Sequence, residues 1–210
     1  MYIFFATIVF IVWLGYEIKK HDRIKKNAYQ DFWENEQKAN LVSRKSLDDL
    51  EYISVPMEFI PKSLLADEYE VSDCLRILKE LSSKKIVNLT GYTNTELKLK
   101  YGAPNINLLS EYDDNFTVYV RTMDKLAHAY FNGGYESNAR ILLEKAVESK
   151  SDVKATYTLL AQIYKNHNET EKIQSLADSV DQLHSLLKEP IKAAVLEFVH
   201  TDPRSDHKSD

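Results

Sequence analysis

Six histidines and one cysteine are the residues that would first suggest a metal site or a nucleophile. The histidines are scattered along the chain, at His21, His128, His167, His184, His200 and His207. None forms an H-x-x-x-H or H-E-x-x-H pair, the spacing that puts two zinc ligands on one helix face. His200 and His207 lie near tail aspartates, but a solvated tail accounts for that composition. The sequence therefore predicts no metal site.

Cys74 recurs with Val71, Leu78 and Leu81 at helical spacing, which favours a core thiol over a nucleophile. The chain contains no G-x-S-x-G elbow and no G-x-x-x-x-G-K-S/T or G-x-G-x-x-G phosphate loop. We therefore expect no catalytic residues and no small-molecule cofactor.

A polar run offers the one region with enough hydrogen-bonding groups for an enzyme-like surface: Asn88, Thr90, Thr93, Asn94, Thr95, Lys98 and Lys100. It could serve a small hydrolase or an enzyme accessory. Asparagine and threonine at this density also satisfy turn backbones, which is the competing interpretation. Thr93 followed by Glu96 predicts a capping box, and Gly102 predicts the end of that short helix.

The composition favours helices as the elements that position these groups, because five glycines in 210 residues are few for a fold with many hairpins or phosphate loops. We expect an extended segment over Ser46 to Pro61, packed on the domain. Pro104 suits the first turn of a short helix, and Asp113 or Asp114 could cap the next.

The clearest pattern is a repeat at 34 residues. Its first copy has Met123, Leu126, Ala127 and Tyr130 on one helix face, then a break at Gly133 and Gly134, then Ala139, Leu143 and Ala146 before Ser151. Its second copy has Tyr157, Leu160, Ala161 and Tyr164, then Ile173, Ala177 and Val180. Leucine, alanine and tyrosine recur identically in the first helix of each copy. Such a pattern can also arise in a plain helical bundle.

The spacing resembles the tetratricopeptide repeat, a helix-turn-helix unit of 34 residues. Ala127 replaces the expected glycine, and Ser151 replaces the usual terminal proline. The resemblance implies a helical solenoid from about Val120 to Leu187, with upstream helices and Pro190 to His200 covering its ends.

By the same resemblance, one face of each first helix would line a groove for a protein or peptide partner. The implied positions are Arg121, Asp124, His128, Asn132, Thr158, Gln162, Lys165 and Asn166. The family's clamp for a C-terminal carboxylate has lysine and asparagine where this chain has Asp124 and His128, so that ligand is not predicted. His128 would make binding sensitive to pH near neutrality. The groove is either open or covered by Ser46 to Pro61.

An apolar run at the start, Tyr2 to Tyr16, predicts a transmembrane helix. Its fifteen residues span only about 22 Å as a helix, so a buried core helix is the alternative. A cleaved signal peptide is disfavoured, because a basic start and a small-residue cleavage site are both lacking. The cations directly after the run predict a cytoplasmic C-terminal domain by the positive-inside rule. These cations could also contact anionic headgroups: Lys19, Lys20, Arg23, Lys25 and Lys26.

The net charge of −5 makes nucleic acid an unlikely partner class. The predicted fold class is all-α, with an N-terminal transmembrane helix followed by a tetratricopeptide-like domain. The predicted divisions are an anchor at 1–18, a basic juxtamembrane helix at 19–45, a helical and irregular part at 46–119, repeats with a capping helix at 120–200 and a disordered tail at 201–210. The predicted function is a membrane-anchored, non-catalytic adaptor.

Overall fold

A computed structural model describes residues 2–61 and 63–200. Within these residues the chain forms eight α-helices and no strand beyond a single bridge between Tyr52 and Val87, so the all-α prediction is confirmed. The predicted tail at 201–210 lies outside the described residues. The helices are α1 Tyr2–Asn40, α2 Tyr69–Leu81, α3 Asn94–Tyr101, α4 Ile106–Asn132, α5 Glu136–Glu148, α6 Lys154–Asn166, α7 Thr170–Ser179 and α8 Lys188–His200.

The predicted transmembrane helix is wrong. The apolar run belongs to α1, which continues without a break as far as Asn40. Among the described residues, no helix combines the length and the apolar character that a membrane crossing needs. The physical reason is that the uncharged run stops at Tyr16 and Glu17 follows, well short of about 20 apolar residues. The orientation inferred from the charges is not tested by the structure.

The chain divides into two compact units, which are described separately. The first unit takes the described residues of Met1–Leu47 and Thr93–Ile106, and the second takes those of Asp48–Tyr92 and Asn107–Asp210. This division differs from the boundaries expected from the sequence, since the α3 region groups with α1.

In the first unit the end of α1 packs against α3. Glu36 accepts hydrogen bonds from Thr95, at 2.6 Å, and from Lys98. The predicted capping box is present, since Thr93 caps α3 and Glu96 accepts from the Thr93 backbone N–H. The predicted end of α3 at Gly102 is also correct. Gly102 has φ +93°, and a Cβ there would lie 2.1 Å from the Ser43 carbonyl oxygen, so only glycine fits.

The second unit is built on one hydrophobic core that contains the residues of the 34-residue pattern. Leu126 and Leu160, like Ala127 and Ala161, are buried to 1% exposure or less, and every other matched position of both copies is buried as well. The helix α8 packs on α6 and α7, where a covering helix was expected. This burial does not identify a repeat family, so the tetratricopeptide resemblance stays a prediction.

The predicted helix start at Asp113 or Asp114 is wrong, because α4 runs unbroken through both residues. The Asp113 carboxylate instead accepts a hydrogen bond from the Leu89 backbone N–H, at 2.9 Å between Oδ1 and N. A cap was predicted from local spacing, but the partner of this side chain lies 24 residues away. Burial raises the pKa of Asp113, and this hydrogen bond lowers it only in part.

The segment from Asp48 to Pro61 packs on the second unit, as expected for this part of the chain. Val55 and Ile60 are buried in the core. Ile53 donates its backbone N–H to the Ile86 carbonyl at 2.9 Å, and the Tyr130 hydroxyl donates to the Pro61 carbonyl at 3.1 Å. These contacts bind an irregular segment through its backbone as well as through its apolar side chains.

We predict that Ala139→Leu destabilises the second unit. Ala139 is fully buried in the core, so a larger side chain must displace its neighbours, at a typical cost of about 1–3 kcal/mol. Urea unfolding measures this, with Ser137→Leu as the matched control on the exposed side of the same helix. Equal stability of the two variants would contradict the close packing at Ala139.

A second prediction concerns Asp113. Asp113→Ala removes the acceptor of the Leu89 N–H and should lower the free energy of unfolding by about 1–3 kcal/mol. Asp113→Asn keeps an acceptor oxygen and removes a partly buried charge, so it should be at least as stable as the wild type at neutral pH.

The pH dependence of this pair has a defined sign. A carboxyl whose pKa is raised by folding opposes folding while it is ionised, and the penalty is relieved as pH falls through that raised pKa. Any advantage of Asp113→Asn should therefore shrink in acid. An advantage that grows as pH falls would refute the burial argument.

Candidate functional site

The residues predicted to bind a partner lie on α4 and α6 of the second unit. Exposed side chains on α4 recur every three or four residues from Asp114 through Val118 and Arg121 to Lys125, and again at Asn132, because the opposite side of the helix carries the core residues. On α6, Gln162 and Asn166 are exposed, and Thr158 and Lys165 are half-buried. We call the set of eight predicted residues the α4–α6 face.

Asp124 joins the two helices of this face. Its carboxylate accepts a hydrogen bond from the Thr156 hydroxyl on α6, at 2.8 Å. Burial raises the pKa of Asp124, although Thr156 and His128 act against that rise. This carboxylate is therefore occupied by a contact between helices and is a poor candidate for binding a partner.

His128 is oriented by its own helix. Its Nδ1 lies 2.9 Å from the Asp124 carbonyl oxygen, which can only accept, so Nδ1 carries a proton. The Asp124 carboxylate lies 3.6 Å from the same nitrogen. The Nε2 atom remains for contact with another molecule.

Two cations of the face are not neutralised. Within the part of the chain that the structure describes, Arg121 and Lys165 make no ion pair or side-chain hydrogen bond. The neighbouring Lys125, which the sequence analysis did not single out, lies 3.5 Å from Glu70 on α2. Its spacing of four residues from Arg121 was the signal that could have placed it on the same stripe. Arg121 and Lys165 thus contribute positive charge to the α4–α6 face, which also includes the exposed amides of Asn132, Gln162 and Asn166.

The segment expected to cover this face makes its described contacts elsewhere. Met57–Phe59 packs against α5, where the Lys145 ammonium lies 5.2 Å from the Phe59 ring centroid. Glu51 lies 3.6 Å from the Lys150 ammonium, beyond the end of α5. None of its described hydrogen bonds or ion pairs involves the eight residues of the α4–α6 face.

The polar run at 88–100 does not lie within one unit, because the division falls between Tyr92 and Thr93. In the first unit, Thr95 and Lys98 bind Glu36, Asn94 is exposed as the first residue of α3, and the Lys100 ammonium lies 5.2 Å from the Tyr101 ring centroid. In the second unit, Asn88 donates to the Lys150 carbonyl at 3.1 Å and accepts from the Thr90 backbone N–H at 3.0 Å. Thr95, Lys98 and Asn88 thus bind other parts of their own unit, and these contacts give the hydrolase alternative no support.

A shallow cleft beside Asn88 has a volume of about 240 Å³. It is lined by Glu51, Tyr52, Ile53, Asn88 and Glu148–Lys150. The Asn88 amide donates to the Lys150 carbonyl, and the Lys150 ammonium lies near the Glu51 carboxylate, so these polar groups already have partners within the chain. The cleft therefore lacks a convergent set of groups for catalysis.

The described residues hold no group of three or more metal-ligating side chains close enough to bind an ion. Cys74 is 1% exposed, and burial raises the pKa of its thiol. The prediction of a core thiol is thus supported by its burial, since a reactive cysteine needs exposure and a lowered pKa.

The five basic residues after the apolar run are exposed on α1 in the first unit: Lys19, Lys20, Arg23, Lys25 and Lys26. The ion pair recorded for them, among the described side chains, joins Lys20 to Glu17 at 3.6 Å. Their predicted contact with lipid headgroups is not tested by this geometry.

A charged network that the sequence analysis missed links α5 to the turn between α6 and α7. Arg140 donates two hydrogen bonds of 3.0 Å to the Glu169 carboxylate and one of 2.9 Å to Glu144. Tyr164 donates its hydroxyl to Glu144 at 2.9 Å. The hydrogen bonds from Arg140, and then that from Lys172, hold the pKa of Glu169 below its usual value. The partners are 29 residues apart, so no local pattern predicted them.

Comparisons with known proteins give no relative. No protein-family model, no curated protein and no solved structure matches the chain. The argument on function consequently rests on the residues and contacts described above.

We predict that Arg140→Ala lowers the melting temperature more than Arg140→Lys. Lysine keeps the charge but cannot form the two-pronged hydrogen bond to Glu169. Because the pKa of Glu169 is lowered in the folded chain, this ion pair stabilises above the ordinary glutamate pKa, and its contribution is lost as pH falls through the lowered value. The deficit of Arg140→Ala should shrink in acid, and a deficit independent of pH would contradict the role given to Glu169.

Proposed function

We propose that the second unit carries a tetratricopeptide-like pair of repeats and acts as a non-catalytic adaptor that binds an acidic protein or peptide through the α4–α6 face. The observation that carries the proposal is a pair of cations without an ion-pair partner among the described residues, the exposed Arg121 and the half-buried Lys165, on two helices that share one core. The exposed amides of the same set, on Asn132, Gln162 and Asn166, can donate further hydrogen bonds.

Charge complementarity favours an acidic partner. The whole chain has a net charge of −5, so cations without a counterion on one face are not a reflection of general composition. The Asp124 carboxylate accepts from Thr156 and lies near His128, and among the described ion pairs it is not paired with Arg121 or Lys165. Acidic side chains would meet Arg121 and Lys165 at the cost of little rearrangement, because both stand on regular helices.

The rigidity of the face supports binding rather than catalysis. Thr156 and Asp124 tie α6 to α4, and Tyr164 and Arg140 tie α6 to α5. A partner would therefore meet a preformed surface, which reduces the entropy lost on binding.

The experiment is a selection of acidic and basic peptide libraries on the full chain, followed by affinity measurement with the peptides obtained. We predict that acidic peptides are enriched and that Arg121→Ala with Lys165→Ala weakens their binding at least about tenfold, the effect of roughly 1.4 kcal/mol. The melting temperature should barely change, because neither Arg121 nor Lys165 makes an ion pair or a side-chain hydrogen bond among the described residues.

The matched control is Lys79→Ala with Lys84→Ala, which removes two exposed cations from and beyond α2 in the same unit. It should bind acidic peptides like the wild type. If both double variants lose the same affinity for acidic peptides, the effect is due to net charge, and a specific role for the α4–α6 face is refuted. Enrichment of basic or apolar peptides would refute the class of partner.

A further inference from the structure

The first turns of α1 expose a dense set of large apolar side chains. Seven described residues within ten positions are 41–65% exposed: Val9, Phe10, Ile11, Trp13, Leu14, Tyr16 and Ile18. At about 100° per residue their positions spread over roughly 220° of the helix circumference. A helix that packs on one neighbour needs an apolar stripe only about 100° wide, so this segment shows more apolar surface than one partner helix would cover.

A block of cations follows this apolar segment directly. Five lysine and arginine residues are exposed over positions 19–26, and the ion pair described for them is a long one, from Lys20 to Glu17. Farther along α1 the sign changes, with Asp31, Glu34 and Glu36 near the exposed Trp33. The helix is therefore divided into an apolar part, a basic part and an acidic part.

We propose that the N-terminal part of α1 binds an anionic lipid surface, with the apolar side chains from Val9 to Ile18 among the acyl chains and the cations at 19–26 against the headgroups. A helix that lies at the boundary between headgroups and acyl chains buries one wide face, which suits an apolar arc broader than one partner helix covers. Anionic headgroups complement the basic block, and each cation near such a surface favours binding by roughly fivefold. This lipid contact is independent of the adaptor function proposed for the second unit.

The two tryptophans of the chain allow a direct test on the full-length protein. Trp33→Phe leaves Trp13 as the reporter of the apolar segment, and Trp13→Phe leaves Trp33 as the reporter of the acidic part. The two positions are about 30 Å apart along the helix. Both variants are titrated with vesicles of phosphatidylcholine, with and without phosphatidylglycerol.

With phosphatidylglycerol present, we expect the emission of Trp13 to move to shorter wavelength and that of Trp33 to stay nearly unchanged. Lys25→Gln with Lys26→Gln should weaken binding by about 25-fold, and Lys38→Gln, which removes a cation beyond the basic block, should not. High salt should weaken vesicle binding by the wild-type protein, as the loss of two cations does in the double variant.

Three results would overturn the proposal. Equal binding to both kinds of vesicle would remove the role of the cations. If the emission of Trp33 shifts and that of Trp13 does not, the contact lies in the wrong part of α1. If the emission of Trp13 shifts in the absence of lipid, and the shift increases with protein concentration, the occupant is a second copy of the chain.

Discussion

Buried tyrosines set the main constraint on the second unit. Tyr119, Tyr130 and Tyr157 are at most 1% exposed, and a hydroxyl in such surroundings needs a hydrogen-bond partner. The Tyr130 hydroxyl reaches the Pro61 carbonyl and that of Tyr157 reaches the Ser151 carbonyl. Burial raises the pKa of Tyr119 and of Tyr130 to about 12, so both remain neutral donors. Tyr130 and Tyr157 thus fill the core with their rings while their hydroxyls bind the backbone carbonyls of Pro61 and Ser151.

This constraint explains why the segment before α2 and the turn after α5 have defined positions. Pro61 and Ser151 lie outside the helices, where their carbonyls would otherwise need other partners. The Tyr164 hydroxyl is likewise a donor, but its acceptor is the Glu144 carboxylate, which also accepts a hydrogen bond from Arg140. Tyr164 therefore links the core to the charged network. The core holds both helices of the α4–α6 face, and the charged network also holds α6.

Features with local causes could be predicted from the sequence. The capping box at Thr93, the glycine that ends α3 and the break at Gly133 each depend on residues within a few positions of one another. The pattern at 34 residues identified core positions for the same reason, since helical periodicity is local. The predicted start at Asp113 failed because its actual partner, Leu89, is distant in sequence. The transmembrane prediction was wrong because the uncharged run, although apolar in composition, is too short to cross a membrane.

The candidate site also contains some features with local causes and others that depend on residues distant in sequence. Exposure of Arg121, Gln162 and Asn166 follows from their offsets to buried neighbours on the same helix, so the sequence was sufficient for them. The use of Asp124 was not predictable, because Thr156 approaches it only when α4 and α6 pack together.

That one contact changes the chemistry of the face. The Asp124 carboxylate keeps its charge when it accepts a hydrogen bond from the neutral Thr156 hydroxyl, but the contact directs it toward α6 and leaves less of it for a partner. The orientation of this acidic group on the α4–α6 face is therefore a product of helix packing, which the composition and net charge of the chain do not encode.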